Sequence, residues 1–149
     1  MMIWELKKFD ELTNHELHDL FRLRVDIFVV EQSCPYSEID GKDPFSYHLM
    51  GKINDKIVAY TRILPPGISY TEPSIGRVVV AKSHRGTGLG HELLKRSVQI
   101  SLDKYGQSIK IGAQAHLEHY YGAAGFKKVS AEYLEDDIPH IDMLLTIHG

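Results

Sequence analysis

Arg85-Gly86-Thr87-Gly88-Leu89-Gly90 is the stretch of this sequence with the plainest chemical potential. It follows a strand-like run ending in Val78-Val79-Val80 and opens a helix-like run from Leu89 to Leu102. Glycines lack a Cβ, so several backbone N–H groups can crowd into one small space. The first N–H groups of a helix have no intrahelical acceptor, and the helix dipole adds positive charge there. Strand, glycine turn and helix start, in that order, make an anion site suited to a phosphate or pyrophosphate. Two common phosphate loops do not fit. A nucleoside-triphosphate loop needs Lys followed by Ser or Thr after its glycines, and a dinucleotide fingerprint needs a third Gly where this chain has His91. Without a ligand the same stretch would be only a softened turn between strand and helix.

The elements that would position this loop can be read along the chain. At 149 residues, 43% of them apolar and 25% charged, the sequence is an ordinary globular one, and residues 1–149 read as one domain. A formal charge of −3 argues against a general nucleic-acid binder. No apolar run reaches membrane-spanning length, and the first residues do not resemble a signal peptide. The single cysteine, Cys34, cannot form an internal disulfide, and a cytoplasmic location is expected.

Met2 to Phe9 reads as a strand. Thr13 and Glu16 form a capping box for a helix that ends near Glu31. Gln32 to Pro44 reads as an acidic loop. Tyr47–Ile53 and Lys56–Leu64 read as a hairpin turning at Asn54-Asp55. Ile75–Ala81 is the strand before the glycine loop, and Ser108–Ile111 the strand after its helix. Leu117, Tyr120, Tyr121 and Ala124 share a helical face that stops at Gly125. Phe126–Tyr133 and Ile141–Ile147 finish the sheet. The expected order is β α β β β α β α β β, an α/β (α+β) fold with a mixed central sheet flanked by helices.

Arg-x-x-Gly-x-Gly directly after a Val-rich strand resembles the acyl-CoA-binding loop of the GNAT superfamily of N-acetyltransferases. Tyr121-Gly122-Ala123-Ala124-Gly125-Phe126 resembles the same family's Tyr-x-x-x-Gly-Phe. Four further pieces are similar to its ElaA-like branch: Val29 to Tyr36, Gly76-Arg77-Val78, Ala113 to Leu117, and Glu135 to His140. The element order is the one expected of a GNAT fold.

The resemblance implies acetyl-CoA as co-substrate and a small-molecule or peptide amine as acceptor. It implies that Val78, Val79 and Val80 pair with the pantetheine arm, and that a backbone N–H of this strand binds the developing oxyanion. It places the pyrophosphate on Arg85, Gly86, Thr87, Gly88, Leu89, Gly90 and His91. It makes Tyr121 the general acid for the departing thiolate. A phenol with ordinary pKa near 10 is protonated at neutral pH and can supply that proton. Tyr120 reads as a core aromatic. Gln114 stands where many relatives have Asn, and its amide can reach CoA on a longer arm. A non-catalytic acyl-CoA-binding or sensing module on the same fold is the alternative, and a homodimer is compatible with either.

The acceptor amine must lose a proton before it attacks. The resemblance would allow an acidic base on the fifth strand, but here that strand reads Ile109-Lys110-Ile111-Gly112 and has no carboxylate, so a base must come from elsewhere or act through water. Glu38, Asp40, His48, His116 and His140 are the remaining candidate bases, with Glu38, Arg77 and His140 as candidate acceptor-binding residues. Arg62 and Arg77 sit on strands and need partners, either an acceptor carboxylate or acids of the Glu31–Asp43 loop. Asp137 stands where the branch pattern has Gly. His116 and His119 share a helical face, yet no zinc motif accompanies them, so no metal is expected. Cys34 reads as a small buried residue.

Overall fold

The computed structural model describes residues 1–147. Strand β1 (Ile3–Lys8) leads to helix α1 (Asn14–Val25), and the expected capping box closes it: Glu16 N–H donates to Thr13 Oγ1 at 3.0 Å and Thr13 N–H to Glu16 Oε1 at 2.9 Å. The chain continues helically to Glu31, but residues Asp26–Glu31 are wound as a π-helix. That wider turn sets Ile27, Phe28 and Glu31 against a large cleft.

Strands β2 (Tyr47–Ile53) and β3 (Lys56–Leu64) form the expected hairpin, with Asn54 and Asp55 both at positive φ. This pairing of left-handed residues matches the twist of the flanking strands. Strand β4 (Ser74–Val80), helix α2 (Leu89–Tyr105) and strand β5 (Ser108–Gln114) follow. The helix expected over Leu117–Ala124 is shorter. It consists of a 3-10 turn, Ala115–Leu117, and helix α3, Glu118–Gly122. The Tyr121 carbonyl takes N–H bonds from both Ala124 and Phe126, which ends the α-helical pattern.

The end of the chain differs from the expected two strands. Phe126–Tyr133 is not one strand but two short ones, β6 (Lys127–Lys128) and β7 (Tyr133–Glu135), both on β8 (Ile138–Thr146). Between them Ser130 Oγ accepts the Asp142 N–H at 2.8 Å, which interrupts the ladder. β7 and β8 turn at Asp136 and Asp137, at φ 49° and 62°. This is why Asp can stand where the pattern has Gly: Asp tolerates the left-handed region better than most residues.

The expected GNAT-type sheet is built from two antiparallel halves, β1-β2-β3-β4 and β5-β8 with β6 and β7. β4 lies beside β5, joined near one end by Lys110 N–H to Pro73 C=O at 2.9 Å. The sheet is covered on both faces. One cluster unites Ile63, Ile75, Leu93, Leu94, Ile109 and Met143 and takes in α2. The other unites Leu20, Leu23, Met50, Tyr60 and Val79 and takes in α1. Burying each such side chain contributes roughly 1.5–3 kcal/mol, so the sheet and its two helices hold the cleft walls firmly. Among the described residues no helix is long and apolar enough to cross a membrane.

Candidate active site

The cleft, about 820 Å³, is walled by both β4 and β5. Its form begins with a bulge. Tyr60 pairs with Val79 and Arg62 with Gly76, so Arg77 and Val78 together face Thr61 alone. Arg77 takes φ 52°, left-handed for a non-glycine residue. Such a position costs on the order of 1–3 kcal/mol and needs enforcement by its surroundings. Here Arg77 Nε donates to Glu38 Oε2 at 2.7 Å, and Nη2 to Asp40 Oδ2 at 3.2 Å.

The glycine loop sits at one end of the cleft, to which Arg85, Gly90 and Val80 contribute. Gly86 and Gly88 take φ 78° and 82°, and Gly88 is the N-cap of α2. Among the described residues, the N–H groups of Gly88, Leu89, Gly90 and His91 have no acceptor. Thr87 Oγ1 donates to the His84 carbonyl at 2.9 Å, bracing the loop. A Cβ on Gly86 or Gly88 would meet no side chain or distant backbone within 4 Å, and on Gly90 it would make only ordinary contacts, the nearest with Tyr120 Oη at 3.7 Å. Arg85 is not free, since its Nη1 pairs with Glu31 Oε2 at 3.0 Å. His91 lies against the Tyr120 ring at 5.5 Å.

The two tyrosines of α3 divide their work. Tyr120 donates its hydroxyl to the Gly90 carbonyl at 2.5 Å and so anchors the first turn of α2. Burial pushes its phenol up to about 12. Tyr121 packs edge-on against Tyr120 at 5.0 Å and Phe126 at 6.1 Å, with its ring in the core and the residue in the cleft wall. Its hydroxyl has no hydrogen-bond partner among the described residues. Burial, then the neighbouring Tyr120, push its phenol well above the ordinary value, so it holds its proton at neutral pH.

Gln114 lies in the cleft wall, and its amide is already engaged. It exchanges two hydrogen bonds with Gln32, at 3.2 and 3.4 Å, tying the end of the π turn to β5. Gln32 was not singled out by sequence reading. Cys34 is buried in the same wall, and its Sγ donates to the Asp136 carbonyl at 3.4 Å.

The acceptor candidates fare unequally. Glu38 is corrected: it is 5% exposed and no part of the cleft wall. Its Oε2 takes Arg24 Nε and Arg77 Nε, both at 2.7 Å, and its Oε1 takes the Tyr36 hydroxyl. Three of its four acceptor sites are taken, and the side chain does not face the cleft. Arg24, completely buried, also donates to Asp43 Oδ1 at 2.8 Å. Arg62 makes a two-pronged pair with Asp40 at 2.6 and 2.8 Å. Three arginines and three acids thus pin the Gln32–Asp43 loop to α1, β3 and β4, which is the structural pairing rather than an acceptor carboxylate site. Burial works against the Asp40 charge, yet the Arg62 bonds hold its carboxyl well below the usual range.

His48 is also corrected. It is buried, with Nε2 3.0 Å from the Asp43 carbonyl and Nδ1 2.5 Å from the Tyr60 hydroxyl. A carbonyl only accepts, so Nε2 carries the proton and Nδ1 spends its lone pair on Tyr60. Burial pushes this imidazole down, towards the neutral form. Arg77, His116 and His140 do reach the cleft. The buried network had one sequence signal: Arg24 interrupts the apolar face of Leu20 and Phe28 at i, i+4 spacing. Tyr70 and Tyr133, both bonded to Asp142 Oδ1 at 3.0 and 2.7 Å, had none. Their hydroxyls close over Gly112, where a Cβ would come within 2.9 Å of Tyr70 Oη. Among the described residues no group of three or more His, Cys, Asp or Glu is placed to hold a metal.

A bulged strand at the junction of two half-sheets, followed by a glycine loop with unused N–H groups, is an arrangement suited to an acyl-CoA co-substrate. The chain belongs to the GNAT acetyltransferase family: the model for its acetyltransferase (GNAT) domain matches residues 24–147. It is 39% identical over 146 residues to Protein ElaA of Escherichia coli, covering 96% of this chain and 95% of that protein. The crystal structure of E. coli ElaA superposes with TM-score 0.91 at 38% identity, over 97% of this chain and 99% of the other. That of an acyl-CoA N-acyltransferase from Pseudomonas aeruginosa superposes with TM-score 0.93 at 43% identity, over 98% and 100%. The protein is therefore an acyltransferase enzyme rather than a non-catalytic acyl-CoA module. Acetyl-CoA is the co-substrate its family uses.

Proposed function

We propose that this enzyme moves an acetyl group from acetyl-CoA to a primary amine of a small molecule or peptide by direct attack, with Tyr121 as general acid. One observation carries the reading. A single cleft runs from Arg85 and Gly90 of the glycine loop, along Val78, Val79 and Val80, to the residue whose phenol is unbonded, Tyr121.

In this reading the pyrophosphate takes the free N–H groups of Gly88 to His91, and the pantetheine arm lies along Val78–Val80. The bulge at Arg77 and Val78 releases a backbone N–H from the ladder, and that donor meets the oxyanion of the tetrahedral intermediate. The amine nitrogen bonds to the thioester carbon, the C–S bond breaks, and Tyr121 protonates the departing sulfur. A thiol of pKa about 8.5 leaves more readily once protonated. Gln114 exchanges Gln32 for the cofactor. All of this lies within one domain, residues 1–149, acting in the cytoplasm.

The test supplies acetyl-CoA with a panel of amino acids, polyamines and peptides with free N-termini. Free CoA is followed with a thiol reagent and the acetylated product by mass. Acceptor-dependent release of CoA, with one new amide per thiol, is expected. No release above the acceptor-free control with any member would overturn the proposal.

A further inference from the structure

We infer that His140 is the general base that takes the proton from the acceptor ammonium. This rests on the acetyl-transfer reading above.

His140 is 8% exposed and belongs to the same cleft as Tyr121. On β8 it pairs in register with Gln114 of β5 on one side and Tyr133 of β7 on the other, which sets it on the cleft face that Gln114 also occupies. Its Nδ1 lies 2.7 Å from the Ile138 carbonyl. A carbonyl cannot donate, so Nδ1 carries the hydrogen and the neutral ring keeps its lone pair on Nε2. His48 shows the opposite arrangement, with its lone pair spent on Tyr60.

The groups against the ring suit this role. Glu135 Oε2 is 3.4 Å from Nε2, and Tyr133 stacks on the ring at 6.1 Å. Gln114 is the neighbour on β5 and is uncharged. A carboxylate only accepts, so Glu135 leaves the Nε2 lone pair unused and pairs with the ring once it is protonated. Tyr133 is itself held by Asp142 at 2.7 Å, so the stacked plane has a fixed support. The rival carboxylates are engaged: Glu38, outside the cleft wall, is held by Arg24, Arg77 and Tyr36, and Asp40 has every acceptor site taken by Arg62, Arg77 and the Lys42 N–H. His116 reaches the cleft, but among the described residues nothing orients its ring.

The protons balance. The ammonium gives its first proton to Nε2, and the neutral amine attacks the thioester carbon. As the new C–N bond forms, the nitrogen's second proton replaces the one Tyr121 gives to sulfur. Products are the amide and CoA thiol, and the His140 proton leaves to solvent.

The test compares parent and His140→Asn over pH, with the most active amine of the panel. Asn retains a donor for the Ile138 carbonyl but has no basic nitrogen. In the parent, ammonium and neutral His140 react together, so kcat/KM stays level below the amine's own pKa until the pH is low enough to protonate His140 itself, and falls beyond that. In His140→Asn the rate should follow the fraction of neutral amine, falling about tenfold per pH unit below that pKa. For a lysine-type amine at neutral pH the loss should be about 10³-fold, vanishing as pH approaches the amine's pKa. Acetyl-CoA affinity should be unchanged. His140→Gln is the second variant if Asn does not fold, and His116→Asn should keep the parent profile. An active parent with a His140 profile of the same shape overturns this inference alone. A His116→Asn profile that acquires the slope assigns the base there instead and overturns it too. A parent that releases no CoA with any acceptor overturns the transfer reading and this inference together.

Discussion

The two ends of the cleft are built on opposite terms. At the glycine loop the polar groups are backbone N–H groups of Gly88 to His91 without acceptors, under open space. At the Gln32–Asp43 wall the polar groups are side chains, and Arg24, Arg62, Arg77, Glu38, Asp40 and Asp43 bond one another, with Arg62 Nε left buried without a partner. On the proposed reading the first end takes an anion and derives its affinity from what is unmet. The second has its charges paired without a ligand and contributes shape. A buried pair of this kind adds little net stability over apolar packing, but removing one partner strands a charge. The acceptor wall should therefore fail by unfolding, and the cofactor end by losing affinity.

The sharpest break in this comparison is at Tyr121, between the two ends. Tyr121→Phe keeps the ring against Tyr120 and Phe126 and removes the donor. It should lower kcat by about 10²–10⁴-fold with acetyl-CoA affinity and melting temperature unchanged. Tyr120→Phe should cost little in kcat and about 1 kcal/mol in stability, because its hydroxyl bonds the Gly90 carbonyl. A Tyr121→Phe enzyme at full rate would return that residue to packing.

Next in size is the acceptor wall. Arg24→Met or Glu38→Gln should cost about 3–5 kcal/mol, read as a lower midpoint in urea, and acceptor kinetics should fall only as the folded fraction falls. The same wall has an acid limit. The Asp40 carboxyl is held below its ordinary value, so its contribution is complete above about pH 4 and is lost as pH falls further through the folded value. Removing the carboxylate by Asp40→Asn should flatten that part of the stability profile, which equilibrium unfolding at a series of pH values measures.

Gly90→Val tests the other end. Its backbone is not left-handed and a Cβ meets only ordinary contacts, so the fold should survive. Acetyl-CoA affinity, measured by calorimetry, should fall tenfold or more, about 1.4 kcal/mol. Gly88→Val is the poorer probe, since φ 82° strains any side chain there. Unchanged affinity in Gly90→Val would make the loop structural and erase the contrast between the two ends.

The smallest effect belongs to Glu31, which borrows Arg85 from the loop. The pair is partly exposed, and such pairs are worth 0–1 kcal/mol. Glu31→Gln should tighten acetyl-CoA binding by up to about fivefold at low salt, and the gain should shrink as salt is added.

Local pattern made much of this molecule legible. The capping box of Thr13 and Glu16, the Asn54-Asp55 hairpin, the glycine loop and the β3 boundaries are all settled within a few residues, by rotamer and φ preferences that act locally. The misread parts depend on partners far along the chain. Residues 126–133 divide into two strands because Ser130 meets Asp142, and α3 is cut short by the way its Tyr121 carbonyl is shared.

The same division runs through the site. The sequence by itself determined the glycine loop and its helix start, because a row of free backbone N–H groups needs only a glycine turn and a helix N-terminus that are contiguous in the chain. It also marked Tyr121, which the fold sets in the cleft wall, through its fixed spacing to Gly125 and Phe126. Only the tertiary structure decided which polar residues of the acceptor end are spent and which are available. Glu38 and His48 were as plausible as His140 by residue type. Their side chains are held by Arg24, Arg77, Tyr36 and Tyr60, brought from α1, from β4, from within the loop and from β3. Hydrogen-bond capacity is a property of an assembled neighbourhood, and no spacing along one segment encodes it.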